Sequence, residues 1–371
     1  MDLAFTAAQD AFRAEVHDWL AANAPHGLPS LDTEAGFAAH REWERRMADE
    51  RLSVVAWPEE YGGRGASLID WLIFEEEYWR AGAPPRVSQN GIFLLAPTLF
   101  AYGTDEQRAR FLPRMARADD VWAQAWSEPG AGSDLASLRS PAVRDESAGG
   151  WWLSGQKTWS SRAAWADWGF GLFRSDPAQQ RHRGLTYFLF PLTADGVSVR
   201  PIRQLDGETG FAEIFFDDVF VPDDHVLGNV GEGWAVAMAT TSSERGLSLR
   251  SPGRFMATAD RLLEFAGGTP DDVVDAWCDA EAYRVYTFAA ATRLLDGDEL
   301  GASSSLMKVF WSELDVRMHE VAMRIAATDA PLQSSWLDGF LFSLSGPIYA
   351  GTNEIQRDLI AERVLGLPRS R

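Results

Sequence analysis

The chain has 371 residues, 46% apolar and 24% charged, which predicts a globular protein of roughly two or three domains with a sizeable core and excludes disordered, collagen-like and disulfide-knot classes. Acids outnumber bases 54 to 34, for a net charge of -20. That balance excludes a nucleic-acid binder, which needs a basic footprint to neutralise phosphates, and argues against docking on anionic lipid.

Nearly all the positive charge is arginine; Lys157 and Lys308 are the only lysines. The single cysteine, Cys278, permits no internal disulfide, and a cytoplasmic protein is expected. No apolar run reaches the length of about 18 residues that would predict a membrane span. The start, MDLAFTAAQDAFRAEV, has early acids and no basic stretch, unlike a signal peptide. The six histidines are scattered, none with a partner at zinc spacing, so no metal site is expected.

In chain order, the first third reads helical. Phe12, Val16 and Leu20 repeat every four residues within 6–24, and 36–51, 68–81 and about 91–102 continue the pattern. The glycines of WPEEYGGRGAS, 57–67, mark an irregular loop. Thr104-Asp-Glu-Gln107 predicts a capping box, with Pro113 expected to disturb the helix it opens. The middle third is stranded: 121–127, 150–160, 184–192, 197–202 and 212–221 are short, rich in Trp, Phe, Val and Thr, and punctuated by turn residues. Helices return at 233–251, 271–295 and 303–327, with a final one after Thr352.

Three segments could carry chemistry. In AQAWSEPGAGSDLAS, 123–137, two glycines let backbone N–H groups approach a ligand, and Ser127 and Ser133 add hydroxyls; read alone, this is also an ordinary turn. In GQKTWSSRAAWADW, 155–168, Trp159 could stack on a flat ring and its neighbouring serines could bond ring heteroatoms; the bland alternative is one more core tryptophan. In GPIYAGTNEIQR, Gly351 and Thr352 precede a helix whose N-terminus suits phosphate, although Thr352 could be only an N-cap.

Together with YGTDEQRARFLP (102–113), FDDVFVPDDHVLG (216–228) and GEGWAVAM (231–238), these segments make the whole chain resemble the acyl-CoA dehydrogenase family in motif order and spacing. Trp126 stands where that family usually has a small aliphatic residue. The resemblance implies an α+β fold: an N-terminal α-helical domain (1–118), a middle antiparallel β domain (119–229) and a C-terminal four-helix bundle (230–371). It implies FAD. Residues like Gln124, Ala125, Trp126 and Ser127 would hold the flavin pyrimidine edge, and one like Ser133 would meet flavin phosphate or substrate. Residues like Trp159 and Ser161 would cover the ring and bond near N5, and ones like Thr352 and Glu354 would reach the cofactor from the last helix.

The implied reaction is α,β-dehydrogenation of an acyl-CoA thioester, with electrons passing to an electron-transfer flavoprotein. A carboxylate takes the Cα proton while flavin N5 takes a hydride from Cβ. The Cα proton is weakly acidic, so the thioester oxygen needs hydrogen-bond donors and the carboxylate must be desolvated. Many members carry the base in Tyr-Glu-Gly-Thr. Here the segment is Tyr349-Ala350-Gly351-Thr352, which loses the carboxylate but keeps the main-chain N–H at 350. A smaller branch, like isovaleryl-CoA and long-chain acyl-CoA dehydrogenases, places the base on an earlier helix before an arginine, and Glu244-Arg245 stand there. The expected base is Glu244, with Arg245, Tyr349, Ala350, Gly351 and Ser133 at the substrate. Arg181, Arg183, Arg250 and Arg254 are candidates to offset the charge of coenzyme A.

Two family segments that serve the adenine half of FAD, Arg-x-x-Phe-Gly and Gln-x-x-Gly-Gly-x-Gly, are not recognisable at 262–277 or 323–339. This admits a homo-oligomer or a heterotetramer with a related subunit that completes the flavin site. A non-catalytic partner subunit and a flavin oxidase or monooxygenase on the same scaffold are the alternatives.

Overall fold

The computed structural model describes residues 4–244, 251–298, 300–326 and 334–369, with the backbone alone for 242–244. In chain order come helices α1 (Ala7–Asn23), α2 (Glu34–Asp49), α3 (Leu68–Arg80), α4 (Ala96–Tyr102) and α5 (Asp105–Ala116), then strands β1 (Trp122–Ala125), β2 (Ala142–Asp145), β3 (Gly150–Ser161), β4 (Trp168–Arg174), β5 (Leu185–Pro191), β6 (Val197–Ile202), β7 (Phe211–Pro222) and β8 (Val226–Leu227). Helices α6 (Gly233–Glu244), α7 (Pro252–Ala266), α8 (Asp271–Leu295), α9 (Ser303–Ala326), α10 (Ser335–Ser343) and α11 (Asn353–Leu359) follow. The order helical, stranded, helical and the α+β class agree with the sequence reading. The chain packs as two compact units that interleave along it: residues 1–26, 66–84 and 245–371, and residues 27–65 and 85–244.

The second unit holds both sheets, in strand orders β1-β4-β5-β8 and β2-β3-β7-β6. All pairings are antiparallel except β1 with β4, which run parallel. One core joins them: Phe173 and Phe190 from the first sheet meet Phe216 of the second edge-on, each pair 5.0 Å apart. Strand β4 escapes the sequence pattern because Gly169 and Gly171 interrupt its apolar run. A Cβ at Gly169 would lie 2.3 Å from the Phe190 ring, and one at Gly171 would lie 2.6 Å from the Ala125 carbonyl oxygen.

Local signals set the helices of this unit. Thr104 and Gln107 close the expected capping box on α5. Pro113, expected to disturb that helix, does not stop it. The helix runs on to Ala116, because a proline forfeits one ladder bond while Phe111, Leu112 and Met115 stay buried. The segment read as one helix from about 91 begins as a π-helical turn, Asn90–Leu95, before α4.

In the first unit, α3 is buried nearly all round, Glu75, Glu76 and Glu77 included. Arg13 of α1 reaches Glu76 at 2.8 Å and Glu77 at 2.7 Å, and Arg284 of α8 reaches Glu76 at 2.8 Å. Helix α7 crosses α3 at Gly253, where a Cβ would meet the Glu75 carbonyl oxygen at 2.6 Å. The sequence reading named a helix over 233–251, of which 245–250 lie outside the described residues, and overlooked both α7 and α10. Ser251-Pro252 opens α7 and the Ser334 side chain caps α10.

Candidate functional site

The glycine loop leaves β1 at Ala125. Along that strand Ala123 and Ala125 face the sheet core, which turns Gln124 and Trp126 to the opposite face. There the Gln124 Nε2 and Trp126 Nε1 donors are buried with no hydrogen-bond partner among the described residues. Such orphans are costly unless a ligand completes them. The loop folds back on itself, with Glu128 and Ala131 exchanging both main-chain bonds at 3.0 Å. Gly130 and Gly132 have ordinary φ, and a Cβ on either would meet nothing within 4 Å. Packing therefore does not require glycine there, whereas close approach of a ligand to the main chain would.

Behind the loop lies a charged residue that sequence reasoning missed. Lys157 of β3, wholly buried, donates to Glu128 Oε1 at 2.9 Å, to the Leu172 carbonyl at 2.7 Å and to the Trp126 carbonyl at 3.4 Å. Burial brings its ammonium down to about 8, against the pull of Glu128. Burial would raise the Glu128 carboxyl. The charge of Lys157 and the hydrogen bonds from Ser140 and Arg139 outweigh that and hold it below the usual carboxylate range. Thr158 N–H donates to the Ser127 carbonyl at 2.8 Å, fastening the loop to the next residue of β3.

One residue further, β3 bulges between Lys157 and Ser160. Trp159 takes the left-handed φ of 61° and is 60% exposed, touching Phe211 edge-on at 6.1 Å. A core tryptophan would be neither. A strained, outward indole beside a glycine loop is a ready stacking surface. Ser161 is half-buried, and the Ser160 hydroxyl is buried without a partner among the described residues. Ser133 lies exposed on the loop.

The arginine loop 178–184 is organised by Arg174. Its guanidinium donates to the carbonyls of Gln179, Arg181 and Arg183 on one side and of Ala136 and Leu138 on the other. Arg181 pairs with Asp134 at 2.9 Å, and Arg183 lines an open cavity of about 470 Å³ with Ser175 and Gly231. Arg254 is turned instead to Asp315, at 3.0 Å.

In the helical unit, Ala350 and Gly351 are both left-handed, with φ of 57° and 78°. The Ala350 N–H has no acceptor among the described residues. Thr352 is an N-cap: its hydroxyl accepts from Ile355 N–H at 3.3 Å, so the capping alternative holds, and α11 is only seven residues long. Glu354 is exposed, its carboxyl lowered by its own backbone N–H and by Thr352. Lys308, also wholly buried, donates to Asn353 Oδ1 at 2.6 Å. Tyr349 packs its ring on Trp311 at 6.0 Å. The backbone at Glu244 ends α6; the Glu244 side chain, Arg245 and Arg250 lie outside the described residues.

Three family models match consecutive stretches: the acyl-CoA dehydrogenase N-terminal domain at residues 6–119, the middle domain at 123–219 and the C-terminal domain at 231–365. A protein named acyl-CoA dehydrogenase IpdE1 from Mycobacterium tuberculosis is 42% identical over 96% of this chain and 97% of its own, and its Mycolicibacterium smegmatis counterpart is 41% identical over the same shares. Among solved structures, a Tcur3481-Tcur3483 steroid ACAD aligns over all of both chains with a TM-score of 0.87 and 27% identity. The ChsE4-ChsE5 complex from Mycobacterium tuberculosis does so with a TM-score of 0.84 and 31% identity.

Proposed function

The chain belongs to the acyl-CoA dehydrogenase family and is an oxidoreductase acting on acyl-CoA, and from that premise we propose that it binds FAD and dehydrogenates an acyl-CoA thioester between Cα and Cβ, with Glu244 as the base. The residues present fit the cofactor. The orphaned donors of Gln124 and Trp126, the glycines that packing does not need and the outward Trp159 belong to β1, the loop after it and β3, which the Thr158 N–H fastens to that loop at Ser127. In this reading Gln124, Ala125, Trp126 and Ser127 hold the pyrimidine edge, Trp159 and Ser161 cover the ring, and Thr352 and Glu354 meet the cofactor from α11. FAD, when bound, supplies the acceptor for the hydride that leaves Cβ.

The observation that carries the reaction is the turn at 349–352. Ala350 has no carboxyl, yet its N–H has no acceptor among the described residues and its φ is left-handed. The N–H is suited to donate to the thioester oxygen as negative charge builds on it. The proton must then go elsewhere, and Glu244 at the end of α6 is the carboxylate that the sequence supplies. Ser133, Arg245, Tyr349 and Gly351 complete the substrate set, with Arg181 and Arg183 offered to coenzyme A phosphates.

The missing adenine-half segments favour a heterotetramer with a related subunit, and the ChsE4-ChsE5 likeness is consistent with one. Electrons would leave to an electron-transfer flavoprotein. A solved relative described as a steroid ACAD makes a steroid-side-chain acyl-CoA the first substrate to try. The test is anaerobic mixing of that thioester with the protein, co-expressed with its neighbouring subunit and checked for flavin content. Bleaching of the flavin with formation of the enoyl thioester is the expected result. A flavin that stays oxidised until NAD(P)H is added would mark a monooxygenase and overturn the proposal.

A further inference from the structure

Lys308, one of only two lysines in the chain, lies wholly buried on α9. It acts on Asn353, the first residue of α11. Asn353 Oδ1 accepts from Lys308 Nζ at 2.6 Å and from Ser312 Oγ at 3.1 Å, and its Nδ2 donates to Glu313 Oε1 at 3.2 Å. Asn353 N–H in turn donates to the Pro347 carbonyl at 2.8 Å, closing the loop from its far side. Gln356, also wholly buried, donates from Nε2 to the Ala350 carbonyl at 3.0 Å and the Gly351 carbonyl at 3.3 Å. Both carbonyls of the left-handed pair are thereby tied to one buried side chain.

A non-glycine residue at φ of 57° reverts to ordinary geometry unless its surroundings over-determine it. The seven-residue α11 cannot do so alone. The fixed reference is α9, a long helix that supplies Lys308, Ser312 and Glu313 from successive turns. Three side-chain bonds and one main-chain bond on one buried asparagine are more than an N-terminal helix residue needs.

We propose that Lys308, Asn353 and Gln356 are positioning residues that lock the Ala350–Gly351 turn, so that the Ala350 N–H is preset to receive the thioester oxygen. This rests on the reaction proposed above. It assigns work to residues outside the substrate set named there. The displaced donor should cost less than an outright loss, which typically costs 10²–10³-fold in rate. We expect about tenfold to hundredfold.

The experiment uses the flavin-loaded enzyme with its co-expressed subunit, in wild-type, Lys308→Met and Gln356→Leu forms. Three readouts are taken: the single-turnover rate of flavin reduction by a steroid-side-chain acyl-CoA, the infrared stretch of its ¹³C-labelled thioester carbonyl when bound, and amide exchange in the 346–356 peptide. The proposal predicts a slower reduction with KM changed less than about twofold, a carbonyl stretch moved toward that of the free thioester, and faster exchange confined to that peptide. A rate, carbonyl frequency and local exchange that all stay at wild-type values would overturn it. Faster exchange spread over the whole chain would also overturn it, by marking a structural role only. If Lys308→Met does not fold, Gln356→Leu, which leaves α9 intact, carries the test. If the wild type is not reduced by the thioester, the reaction reading fails. The exchange readout then still decides whether the turn is locked by these residues.

Discussion

Lys157 and Lys308 are both wholly buried, each behind a glycine-bearing turn, yet the first faces a carboxylate and the second an amide. At Lys157 the charge is matched on the spot by Glu128, which also gathers the N–H groups of Arg139 and Ser140 at 2.7 and 2.9 Å. The loop Ser127–Ser133 is thus hung on an ion pair. At Lys308 the bond goes to Asn353, and the field reaches further: it contributes to lowering Glu354, after the backbone N–H, Thr352 and Arg357. The two lysines thus hold their turns through different acceptors, a carboxylate at Glu128 and an amide oxygen at Asn353.

The largest test of that contrast is removal of the lysine. Lys157→Met strands the buried Glu128 charge, and breaking a buried pair in this way typically costs about 3–5 kcal/mol. Chemical denaturation should show it, together with loss of bound flavin. Lys308→Met removes a hydrogen bond to a charged donor and should cost about 1.5–3 kcal/mol. Equal losses at the two sites would erase the distinction.

The pH response sharpens it. Lys157 is held near 8 in the folded chain, below its ordinary value. Between that pH and its ordinary value the unfolded chain binds the extra proton. The burden of a buried charge is therefore fully present below about 8 and fades as pH rises toward the ordinary lysine range. Relative to Lys157→Met, the wild type should gain stability as pH climbs from 8 to 10, measured by denaturation at each pH. A flat difference would mean that the lysine keeps its ordinary titration.

The smallest effect belongs to the turn. Ala350→Gly relieves the left-handed strain but frees the unfolded chain, a net change within about 1 kcal/mol, visible as a small rise in melting temperature. A fall would mean that the methyl group packs against something that matters.

How much of this could be read in the sequence depended on how local each signal is. The capping box at Thr104 and the stripe of Val16 and Leu20 are contained within one helix, and both stand. Strand β4 was hidden because its glycines answer to Phe190 and to Ala125, neighbours in space only. The loops at 123–137 and 349–352 were legible as motifs. What holds them was not. That only two lysines occur was visible in the composition, but without the fold it reads as a bias toward arginine. The fold shows both buried beside a loop, the Lys157 ammonium donating to three oxygens and that of Lys308 to Asn353 Oδ1. Glu128, Asn353 and Gln356 gave no warning at all, since a polar residue beside a motif is usually solvated.

The relocated base is the centre of the account, and one measurement meets it directly: anaerobic single-turnover flavin reduction in wild type, Glu244→Gln and Glu244→Gln with Ala350→Glu. The account predicts that Glu244→Gln binds the acyl-CoA but reduces flavin at least about a thousandfold more slowly, as loss of the group that takes the proton demands, and that a glutamate at 350 restores part of the rate. Reduction by Glu244→Gln at the wild-type rate would contradict it.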